Sequence, residues 1–211
     1  MGRLTLHRLL LAAIPGLLLV GATVAVVVVL AGSSGDDTAT QSTEPGLQTI
    51  PILTPIPAGN RPIIGDHWHA PYAIYISNSR QPNIPAFTGP EETHTHGDGI
   101  IHMHPFIKAG EGQGASLRKF FEYGGGELGD DSLKIPGQRE MHQNGDLIDG
   151  KPAELRILRA DSGIHPLVDF ARAIQACDAK DESAFERVNS RYIAQDGDCI
   201  RIVFAGPDVK P

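Results

Sequence analysis

Hydrophobic positions along this chain fall into two regimes. From residue 9 to residue 31 there is no charged side chain, and the stretch includes Leu9-Leu10-Leu11, Leu17-Leu18-Leu19 and Val26-Val27-Val28-Val29-Leu30. At about 1.5 Å per residue it reaches roughly 35 Å as a helix, against about 30 Å of bilayer hydrocarbon. The pattern predicts a transmembrane helix over 9–31 behind a short cytoplasmic N-terminus, 1–8. A cleaved signal peptide is the alternative, with Val29 and Ala31 as small residues before a cut. Signal h-regions, however, run only about 7–15 residues. Residues 32–62 are small and polar at first and then carry Pro45, Pro51, Pro55, Pro57 and Pro62. Prolines at this density impose extended backbone, so the segment reads as a tether.

From residue 63 onward the pattern is that of a folded domain. Trp68, Ala70, Tyr72, Ile74 and Ile76 alternate with less apolar positions, which predicts a half-buried strand with His67 and His69 on its other face. Residues 78–92 hold Asn78, Pro82, Pro85 and Gly89-Pro90 and read as a loop. Residues 93–107 read as two short strands around Gly97-Asp98-Gly99, whose glycines allow a tight turn. Ser116 is placed to cap a short helix carrying Leu117, Phe120 and Phe121 and closed by Gly124. Residues 133–135, 139–142 and 154–159 read as strands, with hairpin turns at Asn144-Gly145 and Asp149-Gly150. Pro166 suits the first turn of a helix bearing Leu167, Phe170, Ala171 and Ile174; Phe185, Val188 and Tyr192 hint at another. Ile200, Ile202 and Phe204 alternate in a last strand. The expectation is one β-rich, mainly antiparallel α+β domain over 63–211.

Charge orients the chain. Arg3 and Arg8 precede the apolar run and the next basic residue is Arg61, so the positive-inside rule leaves 63–211 outside the cell membrane. Without Arg3 and Arg8 the remainder holds 16 basic against 25 acidic residues, a net of −9. That balance argues against nucleic acid and anionic lipid surfaces as partners, though not against cations. The bilayer itself is the expected partner of 9–31. Cys177 and Cys199 are the only cysteines, and an oxidising compartment permits a disulfide between them.

The candidate chemistry lies in the histidines. His67/His69, His94/His96 and His102/His104 form three His-x-His pairs within forty residues, where random placement gives roughly 0.4. Side chains at i and i+2 of a strand share a face. Two imidazoles so placed can lean toward one ion at about 2.0–2.1 Å per bond. A hairpin between His96 and His102 sets the second pair beside the third, with His67 and His69 completing that site or making another. Imidazoles without thiolate suit copper or zinc. Asp98 is placed either to accept a ring N–H from a ligand histidine or simply to cap the turn. Met103 faces the core. His7 falls on the cytoplasmic flank as a membrane-interface residue, and His142 and His165 are isolated. The competing readings of the cluster are a polar hairpin whose histidines bond carboxylates and backbone, and a pH sensor.

His67-Trp68-His69-Ala70, the run His94-Thr95-His96-Gly97-Asp98-Gly99-Ile100-Ile101-His102-Met103-His104-Pro105, and Leu117-Arg118-Lys119-Phe120-Phe121 together resemble a group of membrane-anchored, extracytoplasmic bacterial proteins, mostly actinobacterial and of uncharacterised activity. The resemblance runs from about His67 to Phe204. It implies a shared fold and ligand site and implies no reaction. The His-x-His pairs are also similar to those of multicopper oxidases and cupins. The His-Cys-His of the former and the following glutamate of the latter are both missing here. Three functions follow as expectations: a metal-binding module, a metal-dependent enzyme with Glu91, Glu92 or Asp98 as acid or base, and a metal-free interaction domain. No Gly-x-Ser-x-Gly elbow occurs, and Gly124-Gly125-Gly126 lacks the strand-to-helix setting of a phosphate loop.

Overall fold

The computed structural model describes residues 61–89, 92–165 and 167–210. The expected transmembrane helix 9–31, its cytoplasmic flank and nearly all of the tether lie outside them. Among the described residues no helix is long and apolar enough to cross a membrane.

Among the described residues twelve strands and two α-helices occur in the order β1 (Trp68–Ile76), β2 (Ser79–Arg80), β3 (Thr93–His94), β4 (Ile100–Met103), α1 (Leu117–Tyr123), β5 (Glu127–Leu128), β6 (Ser132–Lys134), β7 (His142–Gln143), β8 (Leu147–Ile148), β9 (Lys151–Pro152), β10 (Glu154–Asp161), α2 (Phe170–Asp178), β11 (Glu186–Val188) and β12 (Asp198–Ala205). The main sheet runs β11-β10-β12-β1-β4-β3, with β2 on the end of β1. β5-β6-β7 and β8-β9 form two small sheets. The β-rich α+β class is as expected. The sheet is mixed, however, because β1 and β12 pair in parallel, Tyr72 opposite Ile200 and Ile76 opposite Phe204. These strands are far apart in sequence, and no local pattern announces their direction.

The core fills one face of the main sheet. Ala70, Tyr72 and Ile74 of β1, Met103 of β4 and Ile202 and Phe204 of β12 pack there with Leu117, Phe120 and Phe121 of α1. Burying such side chains stabilises by roughly 1.5–3 kcal/mol each. The alternation along β1 therefore decides the polarity of the sheet: its other residues, His69 among them, must point to the opposite face. That face carries α2, joined to β12 by the Cys177–Cys199 disulfide with a Cα–Cα distance of 5.5 Å. The bridge closes a sequence separation of 22, for which chain entropy suggests a contribution of about 3 kcal/mol.

Four expected features differ. α2 starts at Phe170, because the Asp169 side chain accepts the Arg172 N–H and caps it there; Pro166, expected in the first turn, lies outside the described residues. Phe185, Val188 and Tyr192 are not helical. Val188 lies on β11 opposite Ile157, and Tyr192 donates its hydroxyl to Asp198 at 2.6 Å. Ser116 occupies the N-cap of α1, but its hydroxyl donates to the Gln113 carbonyl and makes no cap bond. The loop 78–92 also contains β2 and a bridge from Phe87 to Thr95.

Candidate metal centre

The edge of the sheet opposite β11 builds the site. β4 runs antiparallel to β1 with His69 opposite His102, and β3 runs antiparallel to β4 with His94 opposite His102. Three imidazoles thus stand side by side on three adjacent strands. Cross-strand partners share a face, as do residues two apart. His67, His104 and His96 therefore project on the same side. The ring centroids bear this out, at 5.0 Å for His67–His104, 5.0 Å for His69–His102, 4.8 Å for His94–His104 and 4.5 Å for His96–His102. The turn that brings His96 back to His102 has positive φ at Gly97 and Gly99, a conformation glycine adopts without a Cβ penalty. Met103 lies on the reverse side and is wholly buried in the core.

Two overlapping groups have the spacing a metal ion needs. Donor atoms of His94, His96 and His102 lie within 4.8 Å of one another, and so do those of Glu92, His94 and His104. His94 Nε2 and His96 Nε2 are 3.3 Å apart. A tetrahedral ion with bonds of about 2.0–2.1 Å keeps its donors about 3.3 Å apart, so this pair already matches one edge of such a site. The remaining donor separations within each group are no more than 4.8 Å. These buried histidines could hold a metal ion.

Carboxylates frame the rings. Asp98 accepts from His102 Nε2 at 3.0 Å while its other oxygen accepts the Ile100 N–H at 3.1 Å. Both roles foreseen for Asp98, turn cap and histidine partner, are thus filled by one side chain. Its bond fixes the tautomer of His102 and leaves Nδ1 free. Asp196 accepts the His69 N–H at 2.9 Å and the Leu167 N–H at 2.9 Å, and the Gly197 N–H donates to the His69 carbonyl at 2.8 Å. The 196–197 turn thereby holds β1 beyond its pairing with β12. It also pins the segment before α2, which sets Phe170 against His69 and His102 at ring distances of 4.8 and 5.5 Å.

Burial sets the protonation of the cluster. His102 and His94 are only 5% and 6% exposed. Burial, opposed by Asp98 and reinforced by the neighbouring rings, lowers the His102 pKa to about 4. The same cause lowers His69, His94 and His104, with His67 adding to it at His69 and His104, and His104 and His96 adding to it at His94. Asp98 lies below the usual carboxylate range: burial raises it, and the bonds from His102 and the Ile100 amide more than offset this. These four rings are therefore neutral near pH 7, the form that ligates metals.

Every histidine of the three expected pairs sits in one contiguous patch, with His67 and His96 at its exposed rim. His67 and His69 extend the patch but belong to neither close group. His142 is buried against Phe204, and His165 is bonded to Asp161 at 2.7 Å. Neither joins the cluster. The residue missed as a ligand is Glu92, foreseen only as an acid or base within a loop. It stands in the turn just before β3, with positive φ, and its carbonyl accepts the His104 N–H at 3.2 Å. An open cleft of about 380 Å³ is lined by Glu92, His94, His96, His104 and Phe87.

Comparison with protein-family models, with curated proteins and with solved structures finds no match for this chain.

The Asp98–His102 bond makes a direct prediction. Partners of ligand histidines typically govern affinity by 10–100-fold. Asp98→Asn is expected to weaken metal binding by a factor in that range, read from competition with a chromophoric chelator, with unchanged far-UV circular dichroism. An unaltered affinity would reduce Asp98 to a turn cap.

Proposed function

We propose that this chain is a membrane-anchored extracytoplasmic protein that binds a transition metal, copper or zinc, through the patch formed by His67, His69, His94, His96, His102 and His104. The observation that carries this reading is the row His69–His102–His94 on three neighbouring strands, with neutral rings and a donor pair already at a tetrahedral edge distance. A polar hairpin with privately satisfied histidines does not account for it, since Nδ1 of His94 and of His104 are buried without a hydrogen-bond partner among the described residues. Buried polar atoms seldom stay unpartnered. All-imidazole donor sets suit copper and zinc. The apolar run 9–31 and the disulfide support a place on the outer side of the membrane.

The second reading is a metal-dependent enzyme. The cleft against Glu92, His94 and His104 favours it, because catalysis needs space at the metal and a nearby acid or base.

The test is metal content. Full-length chain in detergent, purified without a histidine tag and dialysed against buffered copper or zinc, is expected to retain the metal after gel filtration. Chain that emerges free of both metals would refute the proposal. A coordinated water that exchanges with added azide or cyanide separates the enzyme from the module.

A further inference from the structure

We infer that the centre holds two ions that share His94, one on each nitrogen of its ring. The inference rests on the metal-binding reading above and adds stoichiometry and connectivity to it. His94 belongs to both close groups, with His96 and His102 on one side and with Glu92 and His104 on the other. Its two nitrogens are differently disposed. Nε2 lies 3.3 Å from His96 Nε2. Nδ1 is buried without a hydrogen-bond partner among the described residues, on a side chain only 6% exposed. His104 Nδ1 is likewise buried without a hydrogen-bond partner among the described residues, on a side chain 20% exposed, and lies 3.8 Å from Glu92 Oε2. Two unpartnered ring nitrogens beside a carboxylate make a polar hole of the kind a cation fills.

Donor arithmetic points the same way. The patch gathers six imidazoles and the Glu92 carboxylate. Counting His94 twice, that gives eight donor positions, twice the four that a tetrahedral ion uses. The outer rings fit this division: His69 lies against His102 on the first side and His67 against His104 on the second. A single four-coordinate ion would use only four of the seven donor residues.

As the second ion binds, the His94 ring gives up its remaining N–H proton to solvent and becomes an imidazolate, whose negative charge bridges the two cations. The Glu92 and Asp98 carboxylates add one negative charge on each side. The cleft along Glu92, His96 and His104 gives the second ion a route in from solvent. Bonds of about 2.0 Å on the two nitrogens of one ring place the ions roughly 6 Å apart, close enough for two copper(II) spins to couple through the ring.

The experiment is a titration of metal-free full-length chain with copper(II), following bound metal by equilibrium dialysis and the spin signal by electron paramagnetic resonance. The expected result is saturation at two ions per chain, with the signal growing to the first equivalent and then falling as the second couples to it. Glu92→Gln and His104→Ala are each expected to stop at one ion with an uncoupled signal, while circular dichroism stays that of the wild type. Saturation of the wild type at one ion would overturn the shared-ring centre and leave the metal-binding reading intact. Two ions with simply additive signals would overturn the bridge. A chain that takes up no copper would overturn both.

Discussion

Saturating copper or zinc is expected to raise the thermal midpoint of the chain by on the order of 10 °C, and the pair His94→Ala with His102→Ala is expected to abolish that rise. An ion that binds only the folded form stabilises by about 4 kcal/mol at a thousand times its dissociation constant. For a domain of this size 1 kcal/mol moves the midpoint by about 2–4 °C. His94 and His102 are the two most buried rings of the patch and both lie in the cross-strand row. Removing them dismantles the donor pair and the middle of the row at once, so affinity should fall by more than the 10–100-fold typical of a lost outer partner. Their loss also vacates two buried, desolvated imidazoles, so the metal-free variant need not be less stable than the metal-free parent. A rise in midpoint that survives in the double variant would contradict the cross-strand row as the binding site and leave Glu92, His104 and the remaining rings of the patch, or a site outside it, as the seat of the metal.

The second large effect is on pH. In the metal-free chain, stability is expected to decline steadily between pH 6.5 and pH 4. The sign follows from burial. His69, His94, His102 and His104 all titrate below 6.5 in the folded state, so below that pH the unfolded chain binds more protons than the folded one. Their contribution is whole above the unfolded value and is lost as pH falls toward the folded one. His102 alone, held near 4, accounts for about 3 kcal/mol across this window. His165 works in the other sense, because Asp161 raises it, but that pair is largely exposed and weak. Bound metal should shift the decline, since protons then compete with the ion for the same nitrogens. Midpoints measured in chelator from pH 7.5 to pH 4 report this directly. A flat profile would mean that the rings are already solvated in the folded chain.

How far the chain could be read in advance depended on whether a feature was local. The alternation in β1 fixed which face His69 takes, and the glycines at 97 and 99 fixed the return that sets His102 beside His94. Periodicity and turn chemistry operate within a few residues, so these were legible. That His67 and His69 join the same patch was not, because it rests on β1 pairing with β4 across an intervening loop. The parallel β1–β12 pair and the role of Asp196 in anchoring His69 span still greater separations, 127 residues in the second case. Glu92 is a different kind of miss: the strand begins at Thr93 as expected, and Glu92 sits in the turn before it with positive φ, so no strand periodicity marks its side chain. β11 was misread because Phe185, Val188 and Tyr192 have helical spacing by coincidence. Val188 is placed by its partner Ile157 and Tyr192 by Asp198.

The central claim is that imidazoles from three strands converge on a metal. X-ray absorption at the edge of the bound metal, on the full chain loaded with copper or zinc, tests it most directly. The account predicts a first shell of nitrogen and oxygen donors at about 2.0 Å, with the outer-shell scattering of several imidazole rings and no sulfur. A shell of sulfur, or of oxygen donors without imidazole scattering, would contradict it.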